Sequence, residues 1–152
     1  MKKTNIQGTN DKRNVNPNWF TGKVWMKVLS EKIKSKEQDM YHVHFQNGAR
    51  TKLHLHNGSQ ILIVTEGNGT LEIFRRYGTN RRAFKIKKTE SIKLKPGDVS
   101  YIPAKTLHTH GSINKKKLFS HIAINILPTR NPIYKTDWYE SDFKSQVTEK
   151  ID

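Results

Sequence analysis

The sequence predicts an all-β domain, and three observations support this. From Trp19 onward, short segments rich in β-branched and aromatic residues recur, and several of them alternate apolar with polar residues. Gly, Pro and Asn separate these segments at intervals of about 8 to 12 residues, which is typical of a β-sandwich or barrel. No strand–helix–strand alternation is evident, so a parallel α/β sheet is not expected.

The length of 152 residues fits one domain, since domains commonly contain about 100 to 200 residues. Residues 1–18 are polar and rich in Asn and Lys, with few large apolar side chains to offset the entropy of ordering. We therefore predict a flexible basic N-terminal tail over 1–18 and a single domain over 19–152.

The C-terminal segment gives the one helix signal. Asp137 and Glu140 have the spacing of a capping box, and Tyr139, Phe143 and Val147 then recur at every fourth position. This pattern predicts a short helix over 136–148, which we expect to pack on the outside of the β domain.

Composition limits the chemistry. The chain has no cysteine, which excludes disulfides and thiolate metal sites. Its 28 Lys and Arg against 13 Asp and Glu give a net charge of +15, and nine of the 21 residues in 75–95 are basic. No aromatic platform or known nucleic-acid motif accompanies that stretch, so nucleic acid is not an expected partner.

No apolar segment is long enough for a secretory signal or a membrane span, which predicts a cytoplasmic protein without a membrane partner.

Six of the seven histidines form three His-x-His pairs, at 42 and 44, 54 and 56, and 108 and 110. Residues i and i+2 of a strand share a face about 6.5 to 7 Å apart, so two imidazoles can converge on one metal ion. A turn at Asn57-Gly58 can bring the Gln60 side-chain oxygen back toward the same point. His108 follows two turn signals that could place it on a neighbouring strand. The predicted ligands of a first-row divalent metal are His54, His56, Gln60 and His108.

Two segments of the sequence resemble the paired motifs of the cupin family. The first runs from Gly48 to Gly67 and contains the first three candidate ligands; the second runs from Pro96 to Gly111 and contains His108. More narrowly, the chain is similar to small single-domain cupins of the carboxymuconolactone decarboxylase-associated type, a group that includes manganese-dependent hydroxynitrile lyases. This resemblance implies a double-stranded β-helix (jelly-roll) barrel and a homodimer.

The resemblance also implies a set of pocket residues. His110 and His121 would lie beside the metal as candidate catalytic acid/base groups, and the substrate pocket would be lined by Tyr41, Val43 and Asn125. The common cupin pattern has Glu where this chain has Gln60, so four neutral ligands would leave the metal its full charge. Mn or Fe is the expected metal, with Ni, Co or Zn as alternatives, and no organic cofactor is assigned.

Three further features have structural interpretations. The resemblance implies that the Val43 side chain points into the barrel. Because neighbouring side chains of a strand point to opposite faces, His42 and His44 would then point outward, into structural or solvent-facing positions. Arg50 would share the face of His54 on a regular strand, where it could meet a substrate anion or form a surface ion pair. The segment 69–97 is longer than the spacing usual in the family, which predicts an extended hairpin.

These inferences favour a metal-dependent enzyme of lyase or oxygenase type that acts on a small carbonyl, hydroxy or phenolic substrate. The alternative is a non-enzymatic small-molecule binding or sensor protein that uses the same pocket. A polyanion-binding role, suggested only by the net charge, is less favoured.

Overall fold

The computed structural model describes residues 1–7, 11–130 and 133–152, and this part of the chain is predominantly β-structure. One α-helical turn, α1 (Ser30–Ile33), and one 3-10 turn, Pro17–Trp19, interrupt the strands. The strands are β1 (Lys12–Asn14), β2 (Phe20–Thr21), β3 (Val24–Val28), β4 (Gln38–Phe45), β5 (Arg50–Thr51), β6 (Leu53–His56), β7 (Gln60–Glu66), β8 (Gly69–Tyr77), β9 (Phe84–Leu94), β10 (Val99–Ile102), β11 (Leu107–Ser112), β12 (Phe119–Ile126), β13 (Thr136–Ser141) and β14 (Gln146–Ile151). The all-β prediction is confirmed.

Two antiparallel sheets face each other as in a jelly roll. The first has the strand order β1-β3-β4-β12-β7-β10, and the second has the order β2-β5-β11-β6-β13-β14-β9-β8. Apolar side chains from both sheets form the core between them, including Phe45, Leu62, Leu71, Leu94 and Phe119. Burial of these side chains against one another holds the sheets together.

A second apolar core lies on the other side of the second sheet. Strand β11 also pairs with β8. The six strands β11, β6, β13, β14, β9 and β8 therefore form a closed ring of paired strands. The second core inside this ring of strands consists of Leu53, Phe74, Phe84, Ile86, Leu107, Tyr139 and Val147. Successive side chains of a strand point to opposite faces. Strands β6 and β11 are therefore buried on both faces, with leucines toward the second core and histidines toward the first.

The predicted helix over 136–148 is wrong, because this segment forms the β13–β14 hairpin. The helical spacing was a local signal, and tertiary packing overrides it: Tyr139 and Val147 are 3% and 0% exposed in the second core. Asp142 fixes the turn, since its Oδ1 accepts backbone N–H bonds of 2.8 to 2.9 Å from Lys144, Ser145 and Gln146.

Part of the N-terminal segment, for which a flexible tail is predicted, contacts the domain. Strand β1 pairs with β3, which extends the first sheet by one strand. The carbonyl oxygens of Asn5 and Ile6 accept hydrogen bonds from Lys27 Nζ (2.6 Å) and His42 Nδ1 (3.1 Å). Residues 8–10 of the predicted tail lie outside the described residues.

The basic segment forms the expected extended hairpin of β8 and β9, with a register shift between Ile73 and Phe74. In the described part of the chain, no helix is long and apolar enough to span a membrane.

Candidate metal centre

Adjacent strands bring the four predicted ligands to one end of the first core. In the β6–β11 pair His54 lies directly opposite His108, and their ring centroids are 4.1 Å apart. The His54 and His56 rings lie 4.9 Å apart on the same face of β6. Gln60 begins β7 and is 4% exposed, and the three histidines are 0% to 6% exposed. The turn after His56 therefore brings the chain back toward this cluster, as the Asn57-Gly58 signal indicated.

Each of these four side chains is held at the atom that points away from the cluster. His54 Nδ1 and His108 Nδ1 donate to the carbonyl oxygens of Lys52 (2.8 Å) and Thr106 (2.7 Å). A carbonyl can only accept, so each Nδ1 carries the proton and each Nε2 carries a lone pair. A hydrogen bond from the ring nitrogen that does not bind the metal is the usual way in which proteins orient a metal-binding imidazole.

The other two side chains are anchored by side-chain partners. His56 Nδ1 lies 2.7 Å from Thr136 Oγ1 on β13. Gln60 Nε2 donates to Asn125 Oδ1 on β12 at 2.8 Å, which directs the amide oxygen of Gln60 in the opposite direction. The anchors therefore come from four different parts of the chain.

Three of the four inward-facing atoms have no hydrogen-bond partner among the described residues. His56 Nε2, His108 Nε2 and Gln60 Oε1 are all buried without a hydrogen bond. An unsatisfied buried polar atom costs about 1 to 3 kcal/mol, so native proteins rarely keep several together. A cation bound beside these atoms would give their lone pairs a partner. The donor set therefore fits a divalent metal.

Burial keeps these imidazoles neutral. Desolvation lowers the pKa of His108 to about 4 and that of His56 to about 3. Desolvation, with the neighbouring imidazoles as a smaller contribution, holds the pKa of His54 well below its ordinary value. Metal ligands must be unprotonated. Because these imidazoles are already neutral at pH 7, a metal ion would not have to displace protons from them.

His110 and His121, the predicted acid/base pair, border the same cluster. His110 Nδ1 and His121 Nε2 are 3.1 Å apart and share one hydrogen bond. The outer nitrogens of this pair, His110 Nε2 and His121 Nδ1, are buried and have no partner in the described part of the chain. A nitrogen of His110 also lies within 4.8 Å of ligand nitrogens of His54 and His108, so these three form a potential metal-binding triad. His110 can therefore act either as a ligand or as a proton-transfer group.

A cavity of about 430 Å³ opens from this cluster. Tyr41, Val43 and Asn125 line it, as does the carboxylate-bearing residue Asp39. Much of its wall is aromatic, formed by Trp19, Phe20, Phe45, Tyr134 and Trp138. No Lys or Arg is among its described lining residues. The cavity thus combines a cluster of imidazoles with an apolar wall that suits a small, weakly charged organic molecule.

The pair His42 and His44 lies on the outer face of β4, as strand parity predicts, but His42 is covered rather than exposed. It is 7% exposed, with Ile6 and Thr65 as partners of its two ring nitrogens. His44 stacks on Trp25 with ring centroids 3.7 Å apart and bonds to Ser120. Both histidines have structural contacts outside the cavity.

Arg50 does not share the face of His54. The strand is interrupted at Lys52 between β5 and β6, and this irregularity places Thr51 rather than Arg50 against the cavity. Arg50 pairs with Glu72 at 2.9 Å in a partly buried position away from the cavity, and it lies over the Phe143 ring. Of the two alternatives, the structure places Arg50 in an ion pair.

The C-terminal hairpin supplies site residues that the sequence analysis missed. Thr136 bonds to His56, and Trp138 stacks on His54 with ring centroids 4.3 Å apart. In the β13–β6 register these two residues lie opposite His56 and His54. The alternation of Thr136 and Trp138 is a strand signal that could have revealed their shared face, but the helix prediction concealed it.

The Thr136 contact gives a direct test of this arrangement. We expect Thr136→Val, which keeps the side-chain shape, to weaken Mn²⁺ binding about 10-fold, because partners of ligating histidines typically contribute about 10- to 100-fold to metal affinity. Isothermal titration calorimetry measures the change. Thr148→Val, an exposed threonine on the partner strand β14, is the matched control. Equal affinities for both variants would contradict the role of Thr136.

Comparison with known proteins agrees with this fold. The family model described as Cupin matches residues 22–150, so the chain belongs to the cupin family. A cupin-like protein from Thermotoga maritima is 32% identical over 84% of each chain, with a TM-score of 0.63. No curated protein matches.

Two more distant structures share the fold alone. An acetylacetone dioxygenase from Acinetobacter johnsonii is 10% identical, covers 99% of this chain and 85% of its own, and has a TM-score of 0.62. The oxalate decarboxylase of Bacillus subtilis, a protein with Mn(II) centres, is 19% identical over 81% of this chain and 29% of its own, with a TM-score of 0.57.

Proposed function

We propose that this cupin is a metal-dependent enzyme in which His54, His56, Gln60 and His108 hold one divalent ion, Mn or Fe by preference. This proposal is carried by three buried atoms, His56 Nε2, His108 Nε2 and Gln60 Oε1, which have no hydrogen-bond partner among the described residues. Each belongs to a side chain that is anchored at its far end. Such an arrangement is costly unless a cation occupies it. The Mn(II) centres of the oxalate decarboxylase that shares this fold support the choice of metal class.

The metal, when bound, would supply Lewis-acid activation of an oxygen atom of the substrate. The protein contributes the remaining functions. The aromatic wall of the cavity would hold the apolar part of the substrate and exclude water. His110, hydrogen-bonded to His121, is placed to accept or deliver a proton at its free Nε2.

The cavity favours a small carbonyl, hydroxy or phenolic compound. Its described lining has aromatic rings, amides and hydroxyls but no Lys or Arg to pair with a second anionic group. A lyase or oxygenase reaction fits this chemistry, and the distant fold relatives act on acetylacetone and oxalate. The similarity to small cupins that include hydroxynitrile lyases makes cyanohydrin cleavage one reaction to assay.

The experiment is a turnover assay with the Mn²⁺- and Fe²⁺-loaded protein on cyanohydrins, β-diketones and catechols. We expect turnover of one class that disappears on chelation and in His54→Ala. In His110→Gln we expect retained metal with turnover reduced about 100- to 10,000-fold, the usual contribution of a general acid or base. Metal loss in His110→Gln would instead assign this residue to the ligand set.

A non-enzymatic binding or sensor protein is the second candidate, because the same cavity could retain a ligand without converting it. Stoichiometric binding of a test compound, with no product from any class, would favour that function over catalysis.

A further inference from the structure

The β8–β9 hairpin displays a row of cations on one face. Arg75 lies opposite Lys87, and Tyr77 lies opposite Lys85. Side chains opposite each other, and those two positions apart, share a face of a β-ladder. All four of these side chains are exposed. The hairpin therefore groups three cations around one aromatic ring on a solvent-facing surface, the hairpin face (Arg75, Tyr77, Lys85 and Lys87).

The charges of the hairpin face are not neutralised within the described residues. Arg75, Lys85 and Lys87 form no ion pair there, whereas the nearby Lys88 and Arg82 pair with Glu72 and Asp152. The nearest carboxylate in the ladder is Glu90, opposite Ile73 and two rungs from Arg75. Like charges directly opposite each other destabilise a strand pair. The cross-strand pair Arg75–Lys87 therefore does not stabilise the hairpin through its charges. An anionic partner would relieve the repulsion between these two cations.

Tyr77 distinguishes the hairpin face from a simple lysine patch. Its side chain is 43% exposed, and the Arg75 guanidinium lies 5.6 Å from the ring centroid. Proteins that bind single-stranded nucleic acid without sequence preference combine cations along the phosphates with aromatic rings on which bases stack. A base can stack on such a ring only when it is unstacked from its neighbours, which favours a single strand over a duplex.

We propose that the hairpin face binds single-stranded nucleic acid. Arg75, Lys85 and Lys87 contact phosphates, and Tyr77 stacks on a base. The net charge of +15 supplies long-range attraction to the same partner. The sequence alone did not indicate this site, because seven residues separate Tyr77 from Lys85 and only the hairpin register makes them neighbours. The inference is independent of the metal centre.

Fluorescence anisotropy with a labelled oligothymidylate tests the proposal, with the protein in 50 and 200 mM salt. We expect Arg75→Gln/Lys87→Gln to bind at least 10-fold more weakly at the lower salt. The slope of log affinity against log salt should fall by about 1.4, since each single-strand phosphate contact contributes about 0.7. Lys23→Gln/Lys36→Gln removes the same charge from exposed positions elsewhere, and it should keep most of the affinity. Chelator should have no effect.

The aromatic contribution is tested with an abasic oligonucleotide of equal length. We expect Tyr77→Ala to weaken binding of oligothymidylate about 5-fold or more, given the usual strength of stacking on an aromatic side chain, and to leave binding of the abasic strand unchanged. Equal losses in the two charge variants would overturn the proposal, since binding would then follow net charge alone. Equal affinity of the wild-type protein for abasic, duplex and thymidylate strands would also overturn it.

Discussion

His108→Ala should reduce the affinity for Mn²⁺ by more than about 100-fold. The ring is 0% exposed, and its Nδ1 is fixed by the carbonyl of Thr106. Its Nε2 has no partner among residues 1–7, 11–130 and 133–152. Loss of an anchor to a ligand already costs about 10- to 100-fold in metal affinity, so loss of the ligand itself should cost more. Elemental analysis of the purified protein and calorimetric titration of the metal-free protein measure this effect.

The control for this substitution is His44→Ala. His44 also belongs to a His-x-His pair on a strand, but it stacks on Trp25 outside the cavity. We expect this variant to retain stoichiometric metal. Gln60→Ala provides a second test of the ligand set, and circular dichroism shows whether each variant is folded. Full metal occupancy in both His108→Ala and Gln60→Ala would show that the ion is held elsewhere.

Acidification should strongly destabilise the metal-free protein. Desolvation lowers the pKa of His56 and His121 to about 3 and that of His108 to about 4. It also holds the pKa values of His54 and His110 well below the ordinary value. In the unfolded chain these imidazoles titrate near pH 6.5. Below that pH the unfolded state binds more protons than the folded state, so the free energy of unfolding falls as pH falls toward 4.

The expected size of this effect is large. Each histidine that is protonated only in the unfolded chain lowers stability by about 1.4 kcal/mol per pH unit. Five such groups acting together would remove several kcal/mol between pH 6.5 and 5, a large part of the total stability of about 5 to 15 kcal/mol typical of a domain. Urea unfolding of the metal-free protein at pH 7.5, 6.5, 5.5 and 4.5 measures the change.

His121→Gln tests whether the buried cluster causes this pH dependence. The substitution removes one fully buried imidazole that lies outside the four proposed ligands, so the pH slope should decrease by about 1.4 kcal/mol per unit. A stability that stays constant between pH 7 and 5 in the wild-type protein would contradict the burial argument.

Periodicity and turn signals were sufficient to predict the β-structure. The extended hairpin followed from the length of segment 69–97 relative to the spacing usual in cupins. The His54–His56 pair and the turn before Gln60 were also predictable, because two-residue alternation and a tight Asn-Gly turn are local properties of the chain. Arg50 shows the limit of this reasoning. The side of the sheet on which the Arg50 side chain lies depended on whether the strand continued through Lys52. The strand is interrupted there, and Arg50 pairs with Glu72.

The C-terminal segment shows the same limit on a larger scale. Its helical spacing was evident in the sequence, but Tyr139 and Val147 are buried together only because β13 pairs with β6 and β14 pairs with β9. These partners are 61 to 86 positions away along the chain. The energy of long-range pairing and burial exceeds the small differences in local propensity.

The sequence by itself determined the all-β class and the two cupin motifs with their histidine pairs. Only the tertiary structure decided how the C-terminal hairpin contributes Thr136 and Trp138 to the site, and which faces of β6 and β11 are covered by a second core. The physical reason is that residue type and local alternation determine which side chains a strand can present. What those side chains meet depends on the register between strands that are distant in the chain.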